Sequence, residues 1–489
     1  MSEKSSAATP KPRVVAQTPR RSAKEEIAHL TPAEHAARGK AARAAVPRAD
    51  HAVWKPFEGR PNPVDLLEEQ AETRVPELVP IRYGRMLVSP FTFYRGGAYI
   101  MASDLAHTPA TGLNVQLCGD AHLSNFGGFA SPERRMIFDI NDFDETLPGP
   151  WEYDVKRLAA SFEVAGRDRG LSAKQRRSGV AFVARAYREA MAEFAAMRDL
   201  DVWYSRLDVE ALMPEILKAV GSKQAGTLER NLAKARTKDS MKALAKLTHL
   251  VDGQPKILSD PPLVVPIAEL MPEIQADELE RTIRLLVRQY RASLQNDRRI
   301  LVERFELVDV ARKVVGVGSV GTRAWIMLML GRNDEDPLFL QVKEADASVL
   351  EPFAGRSVFK NHGQRVVEGQ RLMQASSDIF LGWIRATGVD GVDRDFYVRQ
   401  LWDWKASALV ETFTPRAFVA YAKMCGWTLA RAHARSGDRI AIASYLGSGI
   451  VFDEAIADFS AAYADQNEVD YEMFKAAVDD GRLKAETGL

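Results

Sequence analysis

The chain has 489 residues, 46% of them hydrophobic, enough to bury a large core in two or three domains or in one two-lobed enzyme. Its 66 Lys and Arg balance 66 Asp and Glu, so no net field points to nucleic acid or an anionic membrane as partner, and any phosphate binding should be local. The two cysteines, Cys118 and Cys425, sit in no Cys-x-x-Cys or Cys/His cluster, which argues against a zinc site or redox pair and for a reducing, cytoplasmic home.

Residues 1–50 are rich in Ala, Pro, Lys and Arg and poor in aromatics, which predicts a disordered basic tail, with order beginning near Trp54. Arg20 and Arg21 superficially resemble a twin-arginine pair, but no apolar signal core follows, and no run of eighteen apolar residues predicts a membrane span. Between 79 and 101 aromatics mix with Arg82, Arg85 and Arg95 in a short basic element. These arginines read most simply as structural, although one in F-Y-R-G-G could clamp a phosphate bidentately.

Residues 117–125 then read L-C-G-D-A-H-L-S-N, followed by R-M-I-F-D-I-N-D-F-D-E at 135–145. Asp120 and Asn125 are separated by the interval at which a catalytic Asp orients a hydroxyl while the Asn reaches magnesium; Asp142, with Asp144, can bridge metal to phosphates. The plain alternative is that these residues cap a turn and a strand end. His122 supports Asp120 and reads most simply as a hydrogen-bonded brace.

Past the Asp-rich strand, W-E-Y-D-V-K-R-L opens a helix, and Ser172 with Gln175 forms a capping box for a second. Apolar periodicity predicts helix through 207–219, 226–250 and 276–304, interrupted by Pro255, Pro261, Pro262 and Pro266. The basic run at 228–247 reads as a solvated helix face. A strand-rich block spans 306–404, and from Pro415 the chain is helical again, with His433 as a packing residue.

Within the strand-rich block, Gly316, Gly318 and Gly321, with Ser319 between them, match the G-x-G-x-x-G spacing shared by dinucleotide-binding folds and kinase glycine loops. A dinucleotide site needs the last glycine to open a helix. Here an apolar run, Ala324 to Leu330, is followed by the turn Gly331-Arg-Asn-Asp and a second strand delivering Lys343, which is the kinase arrangement. Thr322 stands where a Walker loop requires Lys. An ordinary bulged hairpin is the bland alternative. Glu368, 25 residues after Lys343 on a predicted helix, is the expected ion-pairing carboxylate, since Glu344 would point to the opposite strand face. The catalytic segment precedes the glycine loop by about 190 residues, the reverse of ordinary kinases, and a circular permutation explains that order.

The segments S-P-F-T-F-Y-R-G, C-G-D-A-H-L-S-N-F-G, F-D-I-N-D-F-D-E-T-L-P-G-P-W-E-Y-D-V-K-R-L, V-V-G-V-G-S-V-G-T-R, L-Q-V-K-E-A, V-V-E-G-Q-R-L-M-Q, A-R-A-H-A-R-S-G-D and Y-A-D-Q-N resemble the bacterial family catalogued as domain of unknown function 2252, over about residues 60–480. That family in turn resembles the protein-kinase-like superfamily, particularly aminoglycoside and choline phosphotransferases. The resemblance implies an α+β, two-lobed, circularly permuted kinase-like fold with a mainly helical C-lobe and a small antiparallel-sheet N-lobe equivalent. The lobes divide as 51–304 and 406–489 for the helical part and 305–405 for the sheet. It implies Asp120 as base, Asn125 and Asp142 as magnesium ligands, Asp154 as the buried brace of the catalytic loop, and Lys343 with Glu368 as the nucleotide-gripping pair. The D-F-D-E context favours Asp142 over Asp139, with Asp144 beside it. One departure is Cys118, where the family pattern carries His or Arg. The expected cofactors are ATP and Mg2+, and the partner a hydroxyl-bearing acceptor, with a small molecule favoured because no activation segment follows Asp142. A pseudokinase and an AMP-transferring enzyme would use the same pocket. A metal-dependent phosphohydrolase would share G-D-A-H but needs further His and Asn clusters, and the eight histidines are scattered.

Overall fold

The computed structural model describes residues 29–488 apart from 315 and 389. Order starts well before Trp54. Pro32–Ala45 form a helix opened by a capping box between Thr31 and Glu34, with Pro32 in its first turn. Gly39 lets this helix press against helix Arg439–Leu446, because a Cβ there would lie 2.0 Å from the Ala441 carbonyl oxygen. Asp438 pairs with His35 and Arg38 across the same contact. The expected tail through residue 50 is therefore corrected: its Ala- and Arg-rich composition hid T-P-A-E, a helix-start signature. Its first 28 residues lie outside the described residues.

The basic element at 79–101 is three short helices, Val79–Met86, Pro90–Gly96 and Ala98–Leu105. Two antiparallel ribbons follow. Asn114–Leu117 pairs with Leu147–Pro150, and Phe126–Ala130 pairs with Met136–Ile140. The loops 118–125 and 141–146 emerge from the ends of these ribbons, so both are anchored at each side.

Helix Trp151–Asp168 begins directly after the first ribbon closes at Pro150, and nearly its whole length is buried. It packs with helices Ala173–Ala196, Pro415–Ser436 and Val451–Asp479 around the largest apolar core. Trp151 stacks on Tyr187 at 5.5 Å. Gly426 allows Pro415–Ser436 to approach Ala173–Ala196 closely, since a Cβ would meet the Val183 carbonyl oxygen at 2.4 Å.

The second body is a six-stranded antiparallel sheet ordered Gly382–Thr387, Asp393–Gln400, Pro337–Glu344, Ala324–Leu330, Glu306–Lys313 and Val264–Pro266. Pro266 is tolerated because its strand is the edge. Helix Ala276–Ser293 covers part of the sheet, with Tyr290 donating to the Phe380 carbonyl at 2.5 Å. The helix expected over 226–250 is two helices, Ser222–Arg236 and Ser240–Leu247, and stops there: Thr248–Val251 and Gln254–Ile257 form a hairpin. Its turn is Asp252-Gly253, both at positive φ, the strongest short-range hairpin signal. Among the described residues no single helix is long and apolar enough to cross a membrane.

Candidate functional site

The loop Cys118–Asn125 is shaped by buried Asp154 from helix Trp151–Asp168. Its two oxygens accept from the Cys118 and Gly119 backbone N–H groups at 2.8 and 3.0 Å, and His433 lies 3.2 Å away. Gly119 has φ +85°, and a Cβ would sit 2.3 Å from the Glu145 carbonyl oxygen, so this turn admits only glycine. Asp120 follows. Arg157, one helical turn after Asp154, donates through Nε and Nη2 to Asp120 Oδ1 at 2.9 and 2.7 Å, leaving Oδ2 outside that clamp. The guanidinium also lies over the Tyr94 ring at 4.1 Å. Burial raises the Asp120 carboxyl above its ordinary range, with Arg157 working against that rise.

His122 accepts from the Ser124 N–H at 3.2 Å and lies 3.8 Å from Asp120 Oδ2. Burial, with Arg95 and Arg157 nearby, pushes its imidazolium well below the usual value, so the ring is neutral and caps the turn. Asn125 donates from Nδ2 to the Asp120 carbonyl at 2.8 Å; its Oδ1 makes no hydrogen bond among the described residues.

The three aspartates after Asn125 have separate fates. Asp139, inside its strand, bonds Arg431 at 2.5 Å and the Ala375 N–H at 3.0 Å, and is a buried brace away from the cleft. Asp144 accepts from Lys343 Nζ and from the Tyr397 hydroxyl, each at 2.5 Å, and from Ser319 at 3.3 Å. Asp142 Oδ1 stands 3.7 Å from Lys343 Nζ and is buried with no hydrogen-bond partner among the described residues. Burial, then Asp144, raises the Asp142 carboxyl. Burial also acts on Asp144, but the Lys343 charge and hydrogen bond outweigh it and hold that carboxyl low. Lys343 is held above its ordinary value because Asp142 and Asp144 overcome its desolvation.

Lys343 reaches this point from the strand Pro337–Glu344, paired between Ala324 and Tyr397. The glycine loop joins the neighbouring strands, with Gly316 at φ +67° and Gly321 at φ +93°. Gly316, Gly318 and Ser319 line the cleft, whereas Gly321 turns away and packs on Arg74. The loop hangs from the helical side of the molecule. Arg85 donates to the Gly316 carbonyl at 2.6 Å, the Val75 N–H donates to Gly321 at 2.8 Å, and Arg74 donates to the Val320 carbonyl.

Glu368 is not the partner of Lys343. It faces Arg371 at 3.8 Å, one turn along its own helix. The inward residue of helix His362–Met373 is Arg365, which donates to the Thr146, Asp144 and Asp346 carbonyls at 2.7, 2.8 and 2.8 Å. The helix therefore grips the backbone of the Asp-rich turn, and Asp144 itself supplies the Lys343 counter-charge. Spacing along the chain gave the helix correctly but not its rotational phase.

Between these walls lies a cleft of about 1020 Å³. Asp120, His122, Asn125, Asp142, Asp144 and Lys343 all line it. Sequence reasoning missed Arg157, Tyr397, Arg399 and Lys405. Arg157 was within reach, because its offset of three from Asp154 puts both on one helix face. Tyr397 and Arg399 share a strand face by alternation, but which face closes on the cleft depends on the sheet as a whole.

Among the described residues no group of three His, Cys, Asp or Glu forms a self-sufficient metal cage. Asp142 with its unpartnered oxygen, Asp144 and Asn125 are the hard oxygen donors on this part of the cleft, the donor type a magnesium ion would require. These parts define an α+β protein whose antiparallel sheet and helical body close on one charged cleft. The chain belongs to the family described as "Uncharacterized protein conserved in bacteria (DUF2252)", whose profile matches residues 74–477. No curated protein and no solved structure matches the chain.

Proposed function

We propose that the protein is an ATP- and magnesium-dependent phosphotransferase acting on a hydroxyl acceptor, with a permuted, two-lobed kinase-like architecture. One observation carries the reading. Lys343 and Asp144, 199 residues apart, meet at 2.5 Å beneath a glycine loop, in the cleft that also holds Asp120 and Asn125. Phosphoryl transfer needs little covalent help from the protein and depends on positioning and charge neutralisation.

In this reading the glycine-loop amides and Lys343 hold the nucleotide phosphates, and Asn125, Asp142 and Asp144 hold magnesium. Bound magnesium supplies further neutralisation of the phosphate charge. Asp120 orients the acceptor hydroxyl and takes its proton on Oδ2, while Arg157 fixes Oδ1. The acceptor oxygen forms a bond to the γ-phosphorus as the bond to the ADP oxygen breaks, and ADP leaves.

The arginine clamp on Asp120 also favours a second reading, a nucleotide-binding pseudokinase, because a paired carboxylate is a weaker base. Calorimetric titration of ATP with and without magnesium, on wild type and Asp142→Ala, tests the pocket. Metal-dependent binding lost in the variant supports it, and equal binding in both removes Asp142 from its role. Incubation with γ-labelled ATP and a metabolite extract separates transferase from pseudokinase. Label transferred only from the α-phosphate would mean AMP transfer.

A further inference from the structure

Several cations in and around the cleft are already engaged. Lys343 is bound to Asp144, Arg157 to Asp120, and Arg399 to Gln341 and the Asn141 carbonyl at 3.0 and 3.1 Å. Arg95, Lys313, Arg356 and Lys405, which line the cleft, make no side-chain hydrogen bond or ion pair among the described residues, and of these Arg95 and Lys405 share the field of Asp142. Arg95 Nε is buried without a partner, an arrangement that costs free energy until an anion arrives.

Their positions are informative. Arg95 lies in the last turn of helix Pro90–Gly96, directly under the glycine loop: its carbonyl oxygen is 3.5 Å from where a Cβ on Gly318 would stand. Its charge is felt at Asp120, the residue that would face the acceptor hydroxyl. Asp120, Glu411 and Asp142 all act on Arg95 through space, yet none is bonded to it. Lys405 approaches from the 401–411 segment and is open to the cleft. Desolvation, with Arg399 alongside, pushes its ammonium down to about 8, and Asp142 works against that fall.

We infer that the acceptor carries its own anionic group, a phosphate or carboxylate, and that Arg95, beside Asp120, binds it together with Lys405 of the same cleft. This rests on the phosphotransferase reading, in which the nucleotide phosphates already have Lys343, the loop amides and the metal site. The cleft volume, about 1020 Å³, stands at the upper end of ordinary ligand pockets and leaves room for a second reactant beside a nucleotide. A guanidinium and an ammonium that bind an oxyanion give charge-assisted hydrogen bonds, and a neutral acceptor would leave the buried Arg95 Nε without a partner.

The test uses inorganic phosphate as the probe of the anion subsite, titrated into full-length protein saturated with magnesium and a non-hydrolysable ATP analogue. Wild type should bind it, and Arg95→Gln and Lys405→Gln should each weaken it by about tenfold or more. Both should change affinity for the nucleotide analogue by less than about twofold. Arg95→Lys should recover part of the loss. Neither wild-type side chain makes a hydrogen bond among the described residues, so both variants are expected to fold, and circular dichroism checks this. Equal weakening of phosphate and nucleotide would assign these cations to the nucleotide and overturn the inference, as would no phosphate binding by the loaded wild type. Failure of the nucleotide analogue to bind at all would instead sink the phosphotransferase reading. Phosphate binding that persisted in that case, and was lost in both variants, would leave an anion site without an acceptor role and overturn the assignment.

Discussion

Replacing Asp154 with Ala should unravel the loop Cys118–Asn125 before it unravels the protein. The carboxylate serves the Cys118 and Gly119 N–H groups at 2.8 and 3.0 Å and faces His433 at 3.2 Å, with Asp154 and His433 at 1% and 0% exposure. Removing it leaves buried donors unpaired, at about 1–3 kcal/mol each, so a total loss of about 3–5 kcal/mol is expected. Asp154→Asn keeps one acceptor oxygen but turns an NH2 toward a donor, and should cost about half as much. Amide hydrogen exchange resolves the local effect. A loss of about 3 kcal/mol corresponds to exchange roughly 100-fold faster at Cys118 and Gly119. Thermal unfolding of the same variants measures the global cost. Unchanged protection at those two amides, or a total cost below about 1 kcal/mol, would refute the view that Asp154 holds the loop in shape.

Four further outcomes are expected. Lys343→Met should weaken ATP binding by about ten- to a hundredfold in calorimetry, the worth of a charge-assisted contact, and an unchanged affinity would separate Lys343 from the nucleotide. Glu368→Ala should change ATP affinity by less than about twofold and stability by less than about 0.5 kcal/mol, because its only ion pair among the described residues is a half-buried contact with Arg371 at 3.8 Å. Burial pushes the Glu145 carboxyl up to about 7 from 4.5, so its protonated form favours folding. The stability it contributes is complete below about pH 4.5 and is lost as pH rises toward 7; Glu145→Gln should lack that decline, and stabilities compared across this window should diverge by up to about 3 kcal/mol. Gly426→Val should lower the unfolding temperature, at a cost of about 1–3 kcal/mol or more, because the Val183 carbonyl occupies the space its side chain needs.

The parts of the site that were legible in the sequence are those whose chemistry is written locally. Asp120 and Asn125 share one turn, and Lys343 ends a strand that follows a glycine loop and a turn, so a short window carried each. The brace at Asp154 came from a resemblance, and the hydrogen bonds to Cys118 and Gly119 give it a physical basis. Glu368 failed because an ion pair between a helix and a strand depends on helix rotation, and the chain put Arg365 inward instead. Asp139, Asp142 and Asp144 were inseparable by spacing; they part because the strand ends at Ile140, leaving Asp139 in the sheet and the other two in the turn beyond. The N-terminal helix and the Asp252-Gly253 hairpin were readable by cap and turn chemistry, but average composition and helical periodicity were weighted above those short signals.

The attachment of the glycine loop to residues 74–85 has a consequence for how this cleft breathes. In a loop tethered only to its own strands, the roof lifts as a free flap. Here lifting it requires either rupture of the links from Arg74, Val75 and Arg85 or a joint swing of the helix Val79–Met86 with it. Admission and escape of whatever occupies the cleft are thereby geared to that helix, whose outer neighbours become a handle on residence time from outside the cavity.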